Sequence, residues 1–532
     1  MPLSIVVLSG AVATGKTTLA EQLEERFDAR RIGSHELLVG RLAEGDRRDR
    51  PALQAFGETL DRESDGGWLA DDVAVAASRL PEGAIVVVDS ARILGQVEAL
   101  RQAYGRRVTH VHLYAPDDEL RRRYKRRRGR DLPSYEDVRR NATEAAIDSL
   151  IDDADVVIDT SRSTASDVAV RAASHLGLTS RDTGRLVDVI VGGQYGSEGK
   201  GHVAYHISPR YDYLVRVGGP NAGHKVVWDS GSVYTHNQLP SGSRAGDAHL
   251  LIGPGATIDV GRLQNEIADC AVDVERLTID GNAMIIEQQD IDLEAARLVG
   301  SIGSTGKGGG AAAARRILRG DDVRLARDVR ELYPYIGDVA DVLERAYARG
   351  ERILLEGTQG TGLSLFQGTF PYVTSRDTTV SGCLGEAGIA PTRVRKVIMV
   401  CRTYPIRVGS PPEATSGPMG HVLSWAEIAR RSGLDVRELR KTERGSISGK
   451  RRRVAEFDWT QLRRASVLNN PTDIALTFAD YISAENRDAR RFEQLTDETI
   501  HFIEEVERVA AAPVTLIGTH FHARSIIDRR SW

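Results

Sequence analysis

Two lysines sit at the ends of glycine-rich loops, and each is spaced to meet a phosphate. Residues Gly193 to Gly201 read GQYGSEGKG and follow the apolar run Val187 to Val191. The glycines Gly196, Gly199 and Gly201 let the backbone turn tightly and approach a ligand. Lys200 adds a point charge, and the residues after it can open a helix whose N-terminus favours anions. The spacing is not GxxxxGK[ST], so this is a different phosphate loop; the bland alternative is a plain glycine-rich turn. Residues Gly10 to Thr17, GAVATGKT, match GxxxxGK[ST] at every fixed position. In that motif backbone N–H groups cradle phosphates, the lysine (Lys16) reaches the outer phosphates and the hydroxyl (Thr17) holds Mg²⁺. Gly10, Gly15, Lys16, Thr17 and Thr18 form this nucleotide-binding set, and a vestigial loop is the alternative.

Other residues have types suited to chemistry. Asp89 ends a second apolar strand and can hold Mg²⁺ through water, with Arg92 beyond it facing an acceptor phosphate. The run from Arg121 to Arg130 suits a lid over transferring phosphates; a solvated basic helix face explains it equally well. His224, on a loop with Asn221 and Gly223, is a general-acid candidate. Gln359 suits a base edge. Ser304 and Thr305, among glycines, offer hydroxyls and N–H groups to a phosphate. The run Lys450 to Arg453 suits carboxylates or phosphates.

These residues need a frame. Ser4 to Leu8, Ala84 to Val88 and Val156 to Ile158 read as buried strands, and Ser166 to Leu176 as a last helix. That predicts an α/β, P-loop kinase-like parallel sheet over 1–176. Residues 177–186 are polar, hold two glycines and lack apolar periodicity, which makes them a linker. A larger α/β domain with a central, mostly parallel sheet is expected over 187–532. At 532 residues two or three domains are expected. A net charge of −4 gives no reason to expect nucleic acid. No apolar run is long enough to span a bilayer, and no leader pattern opens the chain. Cys270, Cys383 and Cys401 are widely spaced and read as core residues of a reduced, cytoplasmic protein.

The second domain resembles the adenylosuccinate synthetases over nearly its whole length. Gly193 to Gly201 is similar to their signature loop, GQWGDEGKG. Val217 to His224 resembles GG-x-NAGH, Ile302 to Gly308 resembles IGTTGRG, and Glu356 to Thr361 resembles EG-x-QGT. Gly368 to Ser375 resembles GTYPYVTS, and Ser448 to Arg453 resembles TGRRRR. The first domain resembles the small P-loop nucleoside and nucleotide kinases. The synthetase resemblance implies transfer of a γ-phosphoryl group from ATP or GTP to O6 of a purine monophosphate, then its displacement by the amine of L-aspartate. It implies Mg²⁺ and a soluble homodimer. His224 would then stabilise the γ-phosphate as general acid, Gly223 would offer its carbonyl to Mg²⁺, and Lys200 would contact the transferred group. Asn221, Thr305 and Thr374 would hold the nucleotide phosphate, and Gln359 the purine. Arg319 would reach that phosphate across a dimer interface. Arg452, helped by Ser448, would bind the aspartate carboxylate, and Asp480 would read the base of the triphosphate.

Three positions depart from the family. Ser197 stands where the family has an aspartate that removes the N1 proton and ligates Mg²⁺. Lys450 replaces an arginine that touches the ribose 2'-hydroxyl. Phe478 replaces a lysine of the guanine-binding stretch, which admits ATP or dATP as donor. A phage branch of the family carries the same small residue at position 197, and its members act on dGMP to make N6-succino-2-amino-2'-deoxyadenylate. Guanine has an exocyclic amine beside N1, where a carboxylate would crowd it and a serine leaves room. The resemblance therefore implies a purine deoxynucleoside monophosphate, with dGMP expected. IMP as substrate and a non-enzymatic nucleotide binder are the alternatives.

Overall fold

In the computed structural model the described residues are 4–42, 50–81, 83–126, 133–140, 144, 146–178, 184–228, 230–411, 414–445, 449, 451–522 and 524–530. They divide into two compact units, Met1–Arg181 and Asp182–Trp532.

The first unit holds a five-stranded sheet in the order Arg30–Gly33, Ile85–Asp89, Ser4–Ser9, Val108–Tyr114, Val156–Asp159, with every pair parallel. Parallel strands covered on both faces read as unbroken apolar runs. Ile5 to Leu8 and Val86 to Val88 are accordingly all buried. Helices Lys16–Phe27 and Ala165–His175 pack with Val6 and Leu8 on one face. Helix Gly67–Ala77 packs Trp68, Leu69 and Val73 with Ile5 and Val7 on the other. The last helix starts where Thr164 caps it, accepting from the Asp167 N–H, with the Asp167 side chain answering the Thr164 N–H.

The second unit is built on a ten-stranded sheet. Its order is Ile336–Gly337, Leu277–Asp280, His249–Ile252, Tyr213–Arg216, Ile353–Glu356, Val187–Gly192, Val394–Arg402, Asp473–Thr477, Val514–Gly518, Ile526–Asp528. Only the last pair is antiparallel. Val187–Gly192 is therefore central, and it is buried along its whole length. Its one charged residue, Asp188, accepts from both Arg395 Nε (2.9 Å) and Nη2 (2.6 Å) and from the Tyr211 hydroxyl (2.6 Å). A buried carboxylate without such partners would be strongly destabilising. The α/β class and the mostly parallel sheet expected from the sequence are both present. Among the described residues no helix is long and apolar enough to cross a membrane.

Candidate active site

Ligand sites in open parallel sheets lie beyond the carboxyl ends of the strands. Here a cavity of about 780 Å³ opens there. It is lined by loops that follow six strands of the sheet, from Tyr213–Arg216 at one side to Val514–Gly518 at the other. Gly196, Ser197, Gly199, Lys200, Gly201, Asn221, Gly223, His224, Thr305, Gln359, Thr374, Arg452 and Asp480 all line it.

The signature loop is held by a residue inside it. Glu198, 1% exposed, accepts from the N–H groups of Gln194 (3.0 Å) and Gly196 (2.7 Å) and pairs with Lys200 Nζ at 2.7 Å. Gly199 then caps helix Lys200–Ile207. Gly196 is required twice: its φ is +92°, and a Cβ there would lie 2.9 Å from Gln359 Cα. At Gly201 a Cβ would lie 2.7 Å from His224 Cβ. These two glycines let the loop close onto the glutamine and the histidine.

His224 opens the short antiparallel ribbon His224–Val227 and Val233–His236. Behind it, Arg216 and Glu356 end two adjacent parallel strands as register partners, 2.7 Å apart. Glu356 Oε1 bonds His224 Nδ1, and Glu356 Oε2 accepts from the Ser241 N–H at 2.7 Å. Burial pushes Glu356 up, but Arg216, His224 and Ser241 outweigh it and hold the carboxylate far below its usual range. Burial, then the Arg216 charge, push the His224 imidazole down to about 3 against the pull of Glu356. The ring is thus neutral at pH 7. Nδ1 faces both the Glu356 carboxylate and, at 2.6 Å, the Arg216 Nη1 donor, so this side of the ring is held by the protein and Nε2 is left for the cavity.

Nε2 of His224 is buried and has no hydrogen-bond partner. The same holds for Asn221 Oδ1, Thr305 Oγ1, Gln359 Oε1 and Asp480 Oδ1. All five belong to residues lining the one cavity. Buried polar atoms are nearly always paired, so a cluster of orphans marks a place for a polar ligand.

At one end of the cavity Glu443 gathers three partners. Its Oε1 accepts from Arg402 Nη2 (2.7 Å) and the Tyr481 hydroxyl (2.6 Å), and its Oε2 from Arg452 Nη1 (3.0 Å). Burial opposes its ionisation, yet Arg402 and Arg452 bring Glu443 down to about 2. Arg402 lies with its guanidinium 3.9 Å from the centre of the Phe478 ring and donates to the Ser197 carbonyl at 3.4 Å. The lysine-to-phenylalanine departure is therefore filled by an aromatic under a buried arginine. Asp480 is pushed up to about 6, chiefly by burial, with Arg487 opposing. Its Oδ2 accepts from Arg487 Nε at 3.2 Å.

Some sequence expectations fall elsewhere. Ser448 and Lys450 lie outside the described residues. Arg319 does not line the cavity; it is exposed at the end of helix Gly309–Leu318, beside Ile317 and Leu318, which are 76% and 80% exposed. In the first unit Gly15 caps helix Lys16–Phe27, and Lys16 Nζ donates to the carbonyls of Gly10 (2.6 Å) and Ala11 (3.0 Å). Gly15 and Thr18 line a cavity of about 230 Å³ with Arg123 and Thr160. Thr17 is exposed, and Asp89 carries Arg31 Nε at 3.5 Å from its carboxylate. The basic run divides. Arg121 pairs with Asp117 and Glu136, and Arg122 with Glu119, as a solvated helix face does, whereas Arg123 donates to Thr160 at the cavity. Residues 127–130 of the run lie outside the described residues.

Sequence reasoning passed over Glu198, Arg216, Glu356, Arg402 and Glu443. Glu198 and Glu356 stood inside quoted motifs, but their partners are unreadable from spacing. Arg216 and Glu356 are 140 residues apart in the chain.

The fold and site define the class. The family model for adenylosuccinate synthetase matches residues 189–331 and 321–487, and an AAA-domain model matches residues 6–148. The chain belongs to the adenylosuccinate synthetase family and carries a kinase-like N-terminal unit. It is 40% identical over 350 residues to the adenylosuccinate synthetase of Pyrococcus horikoshii, covering 64% of this chain and 98% of that one. Among solved structures it resembles the cyanophage S-2L succinoaminodeoxyadenylate synthetase (PurZ) bound to dGMP and to dATP as energy donor. The TM-score is 0.56 and the identity 28%, over 65% of this chain and 96% of that one. The adenylosuccinate synthetase of Plasmodium falciparum shares the fold, with a TM-score of 0.58 and 20% identity over 65% of this chain and 100% of that one.

Proposed function

We propose that residues 187–532 join L-aspartate to C6 of dGMP, with cleavage of a nucleoside triphosphate, giving N6-succino-2-amino-2'-deoxyadenylate for 2-aminoadenine DNA. The observation that carries a phosphate-and-purine site is the cluster of five orphaned polar atoms in one cavity. What turns the reading from IMP to dGMP is Ser197, which lines that cavity. Its hydroxyl leaves room for the 2-amino group of guanine, where the family aspartate would crowd it. Higher identity to an archaeal adenylosuccinate synthetase than to the phage enzyme favours IMP instead, so the two nucleotides must be compared directly.

The family resemblance supports the following roles for residues that line the cavity. Asn221, Thr305 and Thr374 hold the nucleotide phosphate, and Gln359 holds the purine. Lys200 and His224 meet the phosphoryl group as it passes to O6. An anionic phosphoryl group beside Nε2 works against Arg216 and raises the proton affinity of the imidazole. Arg452 binds aspartate, and Asp480 meets the donor base. Mg²⁺, when bound, neutralises charge on the triphosphate. The Ser197 hydroxyl and the Gly223 carbonyl, both neutral oxygens, would be the groups of this chain that hold it. The exposed Ile317, Leu318 and Arg319 support a homodimer in which Arg319 serves the neighbouring site. The test offers the purified protein dGMP, GMP and IMP in turn, with aspartate, Mg²⁺ and ATP. Fastest aspartate-dependent phosphate release is expected with dGMP.

Residues 1–176 act as a separate nucleotide kinase, joined by 177–186. Lys16→Ala is therefore expected to abolish phosphoryl transfer by the first unit and leave condensation within about twofold, because the lysine serves only its own phosphate loop. A variant that loses both activities would show one shared nucleotide site.

A further inference from the structure

We propose that Lys225 is a second cationic anchor for L-aspartate, taking one of its two carboxylates while Arg452 takes the other. This rests on the ligase reading above. Lys225 follows His224 on the ribbon, and strand alternation turns it to the opposite face. It nonetheless lines the same cavity as His224 and Arg452, together with Val233 of the facing strand.

Lys225 is half-buried and has no hydrogen bond or ion pair to a side chain among the described residues. The acidic side chains that line the cavity are already engaged. Glu443 holds Arg402, Tyr481 and Arg452, and Glu438 and Asp480 both hold Arg487. Glu294 accepts the N–H groups of Gly308 (2.9 Å) and Gly310 (2.6 Å). Burial, then the charge of Arg452, lower the Lys225 ammonium. Glu443 opposes that shift but is already paired with Arg402 and Arg452, so the cavity carries a cation with no salt bridge among the described residues. Aspartate fits this pair by charge. Both of its carboxylates are ionised at pH 7, and Arg452, with one arm on Glu443, leaves the second carboxylate to be matched elsewhere. A phosphate would compete for the same charge, but the orphaned acceptors and hydroxyls that suit the purine nucleotide belong to Asn221, Thr305 and Gln359. Lys225 instead lines the cavity together with Arg452 and Glu443, the pair at the aspartate end of the proposed site.

The experiment measures KM for each substrate in the full chain, Lys225→Met and Lys225→Arg, using whichever purine monophosphate supports turnover. In Lys225→Met the KM for aspartate is expected to rise by about 10- to 100-fold, as when one partner of a shielded charge pair is removed. The KM values for the purine monophosphate and ATP should stay within about twofold, and Lys225→Arg should restore most of the aspartate KM. An unchanged aspartate KM, or a parallel rise in all three, overturns the proposal. Absence of aspartate-dependent turnover in the unsubstituted chain instead overturns the ligase reading.

Discussion

His224→Ala is expected to slow condensation by about 10²- to 10³-fold, the usual loss when a preorganised group facing a transferring charge is removed. The preorganisation is visible. His224 is 4% exposed, Nδ1 is fixed by Glu356, and Glu356 is fixed by Arg216 and Ser241. Nε2 alone is left over. Because the role proposed for that nitrogen is at the phosphoryl group and not at the purine, KM for the purine monophosphate should change little while kcat falls. Phosphate release at saturating substrates measures this. A variant that keeps most of its activity would remove His224 from the mechanism.

Ser197→Asp is expected to move the ratio of kcat/KM for dGMP to that for IMP toward IMP. One added clash or one added ligand shifts specificity by roughly 10- to 200-fold. The longer carboxylate restores a base near N1 and an anionic oxygen for Mg²⁺, and it crowds the 2-amino group. It would also stand close to Arg402, which donates to the Ser197 carbonyl and is held by Glu443. Absolute IMP activity can stay low, because Lys450 and Phe478 also depart from the family. A ratio that does not move would mean that position 197 does not read the purine 2-position.

The residues that touch the cavity were legible because phosphate loops leave a mark in the chain: glycines at fixed spacing, followed by lysine. The sheet was legible for the same reason that it is buried. Runs such as Val187 to Val191 lie within the core on both faces. What the chain order concealed is the layer behind the site. Glu356 reads as the first letter of a glycine motif, yet it fixes His224 through a pairing set by strand order. Strand Ile353–Glu356 lies between Tyr213–Arg216 and Val187–Gly192, and no local spacing states that. Arg402 and Glu443 are hidden likewise, since each reads locally as an ordinary charged residue. The basic run at Arg121 held two readings, and its described residues divide between them, with Arg123 at the cavity of the first unit. Its density of charge suited a lid or a solvated helix face equally, and Arg121 and Arg122 pair with acids on their own helix or the next.

On the function proposed above, this synthetase prefers dGMP to IMP. The most direct measurement is a competition in one tube, with dGMP and IMP at equal concentration, aspartate, Mg²⁺ and ATP, and the products separated by mass. N6-succino-2-amino-2'-deoxyadenylate is predicted to form in excess over adenylosuccinate. Adenylosuccinate in equal or greater amount would contradict it.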